Sequence, residues 1–165
     1  TFPAYDQVIT KNDNFSIDVD KHLFHMMLKR MSILSTDEYR SVIFNFRNGR
    51  LVITTTNPTI GESKEEMLID FDREQLEIAF NPKYFLETLG AIKEEKIVLN
   101  IENEEKPCLV EGAQDKTYLS VIMPMKIWWV IQQQKKTNQE MTETIDNLKK
   151  ENRVKTLWAN NAFFL

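Results

Sequence analysis

The sequence predicts an α+β domain in which the order β-α-β-β-β occurs twice, with two helices side by side on one face of two antiparallel sheets. Three observations carry this reading. Two alternating, strand-like runs each lead straight into a helix-start signal, and each helix is followed by three more strand-like runs. Within the first half, two of those runs flank Asn48-Gly49, the strongest short hairpin signal a sequence offers.

Taken in order, Asn14–Asp18 alternates as a short strand. Asp20 can cap a helix running to about Leu34, with Leu23, Met27, Met31 and Leu34 at helical spacing as its inward face. Strands are expected at Tyr39–Arg47, Arg50–Thr56 and about Glu66–Asp72. After the joint Arg73-Glu74 the order restarts. Gln75–Phe80 places Leu76, Ile78 and Phe80 on one face, and Asn81-Pro82 starts a helix, with proline at its first position. Phe85, Leu86, Leu89 and Ile92 are its expected core residues, and Lys96–Glu102, Pro107–Gly112 and Thr117–Met123 are the last three strands.

The chain divides by composition into a main domain, residues 1–127, and a tail, residues 128–165. The main domain carries 15 Lys/Arg against 21 Asp/Glu, while the tail carries 6 against 4. An acidic body argues against a protein held on nucleic acid by overall charge, so any DNA contact must be local. The tail holds Met141, Ile145 and Leu148 at spacings of four and three, a moderately amphipathic helix, and closes on Ala162-Phe163-Phe164-Leu165. No apolar run approaches the roughly 20 residues of a membrane span. The start, Thr1-Phe2-Pro3-Ala4-Tyr5, lacks the regions of a signal peptide. A cytoplasmic protein without membrane partners is therefore expected.

The motifs of common catalytic and cofactor sites are missing: there is no glycine-rich phosphate loop, Gly-x-Ser-x-Gly, Cys-x-x-Cys or His-Glu-x-x-His. The one cysteine, Cys108, sits in an apolar run and reads as a small buried hydrophobe. His22 and His25 could share a metal only with a third ligand from elsewhere, and an exposed helix face is the simpler reading. The expectation is a non-enzyme with no cofactor and no metal. Lys21, His22, His25, Lys29 and Arg30 gather opposite the apolar stripe of the first helix, and Lys83 and Lys93 do so on the second. That makes either a mildly basic strip suited to phosphates or an ordinary solvated helix face.

Two short stretches add a resemblance. Phe2-Pro3-Ala4-Tyr5-Asp6-Gln7-Val8-Ile9 resembles the connector leading into the third domain of the bacterial DNA sliding clamp, the beta subunit of the replicative DNA polymerase III. Val121-Ile122-Met123-Pro124-Met125-Lys126-Ile127 resembles that family's C-terminal ending. Met31-Ser32-Ile33-Leu34-Ser35, Thr54-Thr55-Thr56-Asn57-Pro58 and Phe80-Asn81-Pro82-Lys83-Tyr84 fit between them, in order. The resemblance implies the DNA-clamp fold, with residues 1–12 as incoming connector. It also implies a processivity factor: a ring segment around duplex DNA that tethers replicative polymerase, clamp loader and repair proteins through their short linear motifs, in the cytoplasm at the nucleoid.

Carried over by position, the resemblance implies a partner-peptide pocket of Pro3, Val8, Val121, Ile122, Met123, Pro124 and Met125. It implies a subunit interface with other clamp domains at Ile33, Leu34, Glu62, Glu65 and Glu66, and DNA-facing Lys29, Arg30 and Lys83. Gln7 and Lys126 stand where the family often has arginine, and the family normally ends where Ile127 stands. An alternative is a standalone clamp-fold protein that dimerises or binds a partner through its tail. In a further expectation, the Phe163-Phe164-Leu165 end folds back into the pocket.

Overall fold

The computed structural model describes residues 11–35, 41–57, 60–126, 136 and 139–150. A single 3-10 turn, Asp13–Phe15, opens the described chain, with the Asn12 side chain accepting from the Asn14 N–H at 3.1 Å. The first strand, β1 (Ser16–Asp20), therefore starts two residues later than the alternation suggested. It runs into α1 (Lys21–Leu34), whose cap Asp20 accepts from the Leu23 N–H at 2.8 Å.

The inward face of α1 is Phe24, Met27, Leu28 and Met31 rather than the expected stripe through Leu23 and Leu34. Leu23 is 44% exposed, so the buried face is rotated by about one residue. The reason is the phenylalanine. Phe24 meets Phe44 and Phe85 edge-on, each with ring centres 5.8 Å apart.

The next strands are β2 (Val42–Arg47), β3 (Arg50–Asn57) and β4 (Gly61–Leu68). Asn48 and Gly49 both take positive φ, 48° and 71°, the backbone of a type I′ turn, and Arg47 pairs with Arg50 across it. β4 begins about five residues before the expected Glu66. It is an edge strand with only Met67 buried, so its Glu-Ser-Lys-Glu-Glu stretch lacks the alternation that would mark a strand. Residues 69–72, expected as strand, instead pass the hairpin: Ile69 N–H donates to the Gly49 carbonyl, and Gly49 N–H to that of Phe71.

The second half repeats the first with β5 (Leu76–Phe80), α2 (Pro82–Ala91), β6 (Lys96–Asn100), β7 (Cys108–Gly112) and β8 (Leu119–Ile122). Asn81 caps α2 by accepting from the Lys83 N–H, and Pro82 takes the first turn, where its missing N–H costs nothing. The joint between halves is anchored by Arg73. Its guanidinium lies about 5 Å over Phe15 and Phe71 and donates to the Ile101 carbonyl.

The two halves interlock. One sheet has the order β1-β6-β7-β8 and the other β4-β3-β2-β5, all antiparallel. Each half thus lends its first strand to the sheet of the other. Both helices cover the seam, and a cluster of Phe24, Phe44, Phe80 and Phe85, with neighbouring rings 5.1–5.8 Å apart, ties α1, α2, β2 and β5 into one core. The expected doubled α+β architecture is what is observed.

The chain falls into two compact units, Thr1–Val130 and Ile131–Leu165. In the second, residues 139–150 are helical, with Met141, Ile145 and Leu148 exposed on one stripe. No helix among the described residues is long and apolar enough to cross a membrane.

Candidate functional site

Three surfaces of the main unit carry the residues singled out from the sequence: the outer face of the helices, the β4 edge, and the segment that follows β8.

The helix face is less basic than its sequence suggested. Lys21 Nζ donates to the Ile92 carbonyl at 2.6 Å, so it caps the C-terminus of α2 and leaves the strip. Arg30 turns to β4, where its Nε donates to Glu65 at 2.5 Å and a second guanidinium nitrogen to the other carboxylate oxygen. This fork favours the charged guanidinium and raises the Arg30 pKa further. Arg30 and Glu65, placed by the resemblance on two different surfaces, are thus partners. Lys83 lies 4.0 Å from Glu87 in an exposed i,i+4 pair. Lys29 is exposed and has no ion-pair partner among the described residues, as is true of Lys93 just beyond α2. His22 is exposed and His25 half-buried on α1.

At the β4 edge Glu65 faces α1, which ends in Ile33 and Leu34, while Glu62 and Glu66 alternate to the other face of the sheet. Ile33 is 74% exposed and Leu68, at the end of β4, 75%. Leu34 is half-buried, and its carbonyl accepts from Asn57 Nδ2 at 3.0 Å. Glu66 pairs with Arg50 across β3 and β4. An eight-residue outermost strand with flanking exposed Ile33, Ile60 and Leu68 is a ladder ready to be continued by another chain.

The segment after β8 crosses from one sheet to the other. Met125 N–H donates to the Ala79 carbonyl at 2.7 Å, so Met123-Pro124-Met125 straps the end of β8 to the edge strand β5. A groove lies on each side of the strap, and Met123 lines both. The larger, about 820 Å³, has Leu76, Ile78, Pro124 and Met125 in its walls, with Glu77, Glu104, Glu105 and Lys126. The smaller, about 460 Å³, lies between Tyr84 of α2 and Val121. Beneath it the hydroxyls of Thr88 and Ser120 share a hydrogen bond of 2.8 Å.

Of the expected pocket residues, Met123 is 59% exposed and Val121 also faces out. Ile122 is 2% exposed and belongs to the core, as the alternation of a strand end requires, so it supplies floor rather than wall. Pro3 and Val8 lie outside the described residues, as does the Phe163-Phe164-Leu165 end. Sequence reasoning missed Tyr84, although an exposed aromatic on an otherwise amphipathic helix was a usable signal. It also missed the acidic wall, because Glu104 and Glu105 read as a turn.

Residues 6–126 match the family model of the DNA polymerase III beta subunit, C-terminal domain. The chain belongs to this family. It is 32% identical over 126 residues to the beta sliding clamp of Chlamydia pneumoniae and 30% to that of Pseudomonas putida, each match covering 76% of this chain and 34% of the relative. Solved structures agree. A DNA polymerase sliding clamp from Pseudomonas aeruginosa superposes with a TM-score of 0.70 at 30% identity, over 76% of this chain and 34% of the other. The DNA polymerase III beta subunit of Thermotoga maritima does so with 0.70 at 28%, over the same shares. The chain therefore spans about a third of the length of the beta clamps it matches. The clamp fold expected from the resemblance is borne out, and the family match ends with the last residue of the Met123-Pro124-Met125-Lys126 segment.

Other side chains of this clamp domain serve structure. Cys108 is fully buried, and burial pushes its thiol up, away from the reactive thiolate. Glu111, on β7, is nearly buried. Burial pushes its carboxyl up, but hydrogen bonds and charge from Lys11 and Lys116 outweigh this and hold it below the ordinary range. Through Lys11, and through Asn100 Nδ2 donating to the Asn12 carbonyl at 2.7 Å, the incoming segment is fastened to the sheet.

Proposed function

We propose that this chain is a segment of a sliding-clamp ring that encircles duplex DNA and raises polymerase processivity by tethering rather than by tight binding. The single observation that carries the reading is the layering. Two helices lie side by side on one face, Lys29 and Lys83 stand on their outer surface, and the sheets lie behind. A sliding ring needs a helix face that meets phosphates weakly and without sequence preference, and an acidic body keeps that attraction low. The protein is non-catalytic, works without cofactor or metal, and acts in the cytoplasm at the nucleoid.

The β4 edge, with Ile33, Leu34, Glu62, Glu65 and Glu66, is the junction to the next clamp domain. Arg30 contributes there through Glu65 more than it does at DNA. The grooves around Met123, joined by Pro3 and Val8 of the connector, take short linear motifs of the replicative polymerase, the clamp loader and repair proteins. Methionines and a proline-fixed strap make an adaptable apolar wall for varied Leu and Phe side chains. A second reading, self-association or partner binding through the tail, is favoured only by the exposed Met141, Ile145 and Leu148 stripe.

The test is a graft. Residues 1–126 replace the C-terminal domain of the Pseudomonas aeruginosa clamp, and primer extension by its cognate polymerase is followed on circular template. Long products dependent on the graft support a ring segment. Short, distributive products from a folded graft contradict it.

A further inference from the structure

Resting on the reading of the strap grooves as a peptide pocket, we infer that the larger groove selects motif segments carrying lysine or arginine beside their apolar residues. Its lining is of two kinds. The floor is apolar, with Leu76 and Ile78 from β5 and Met123 and Met125 from the strap. The rim carries three exposed carboxylates from two separate elements, Glu77 on β5 and Glu104 and Glu105 between β6 and β7, against one cation among the described residues, Lys126.

Little in the domain cancels that charge. Lys106, next to Glu105, donates to both carboxylate oxygens of Glu102 at 2.7 Å and is engaged there. Glu77 accepts from Asn45 Nδ2 at 2.9 Å, a neutral donor that orients the carboxylate without discharging it. Glu104 and Glu105 have no ion-pair partner among the described residues. A cation entering over the apolar floor therefore meets three acceptors, whereas an acidic segment meets like charges.

An open strand edge gives the occupant its form. β5 is the outermost strand of its sheet, and Met125 bonds to Ala79 across that edge. Strand groups alternate with period two, so the backbone N–H and C=O of Glu77 face the same edge as those of Ala79. Among the described residues nothing else pairs with β5 on that edge, so an extended segment can continue at Glu77 the pairing that Met125 begins. The occupant is an extended peptide with apolar side chains against Leu76 and Met123 and a basic side chain among the glutamates.

The test uses the full chain with methyl-labelled methionine, so that Met123 and Met125 report binding by NMR. Synthetic peptides share one Leu-Phe core and differ only in flanking residues: lysine, glutamine or glutamate. The lysine peptide should bind about three- to tenfold more tightly than the glutamine peptide at low salt, the range of a few exposed charge pairs, and the glutamate peptide more weakly still. High salt should shrink the preference, and the Glu104→Gln, Glu105→Gln double variant, altered only in an exposed turn, should lose most of it. Equal affinities for the lysine and glutamine peptides, or a preference unchanged in the double variant, overturn the inference and leave the pocket reading standing. Methionine signals that respond to none of the peptides overturn both.

Discussion

β4 and β5 are the two outer strands of one sheet, and they leave their edges open in opposite ways. β4 is eight residues long, charged along its length, and flanked by exposed Ile33 and Leu68. β5 is five residues long, and Met125 already holds it at Ala79, leaving a groove instead of a free ladder. An edge strand invites pairing, and a protein either blunts that invitation or uses it. Here one edge has the length and apolar flanks for a domain-sized junction. The other has only enough open backbone and apolar floor for a short peptide. In the proposed ring segment the same sheet would supply both a joint and a receptor, separated by the width of four strands.

The largest expected effect comes from breaking what both edges share. Phe44 lies under the sheet between Phe24, Phe46, Phe80 and Phe85. Phe44→Ala should cost about 3–5 kcal/mol, lowering the thermal midpoint steeply and abolishing assembly and peptide binding together. Loss of one function with the other intact would mean that the edges do not share a core.

Glu111→Gln sharpens the contrast from the groove side, because Lys11 lies in the expected connector, residues 1–12, that carries Pro3 and Val8. The variant should be destabilised by about 1–2 kcal/mol at neutral pH. The native carboxyl is held below its unfolded value. Its contribution is therefore present above the unfolded carboxylate range and is lost as pH falls through the folded value. Urea titrations of the two proteins should accordingly converge below about pH 4. A difference that stays constant into acid would assign the effect to packing.

Met123→Ala should weaken motif-peptide affinity by about tenfold, roughly 1.4 kcal/mol, with little change in unfolding, since the side chain is 59% exposed. The pair Ile33→Asp and Leu68→Asp should do the reverse. It should leave stability within about 0.5 kcal/mol and peptide binding intact, while preventing the grafted clamp from closing. Size-exclusion chromatography of both variants separates the two outcomes. Lys29→Glu should have the smallest effect, a modest weakening of DNA retention with a shallower salt dependence, because one exposed cation is removed.

Much of this was legible in the sequence wherever local chemistry decides the structure. Asn48-Gly49 takes two positive φ values that few other pairs tolerate, and Asp20 and Asn81 cap the helices from the positions their types favour. What escaped was decided by contacts far apart in the chain. The buried face of α1 turned on Phe24 meeting Phe85, sixty-one residues away. β4 carries no alternation because it is an edge, and edge status is a property of topology. Lys21 and Arg30 looked like members of a basic strip. Only the fold brings the Ile92 carbonyl and Glu65 to them. The exchange of first strands between halves has no local signature at all.

The measurement that tests the central claim most directly is retention of the grafted clamp on DNA. Loaded onto a nicked circle and passed through a gel-filtration column, the graft should travel with the DNA and be lost once a single cut makes the circle linear. Retention that survives linearisation would show direct binding in place of encirclement. A folded graft never retained on the circle would show that the β4 edge does not close a ring.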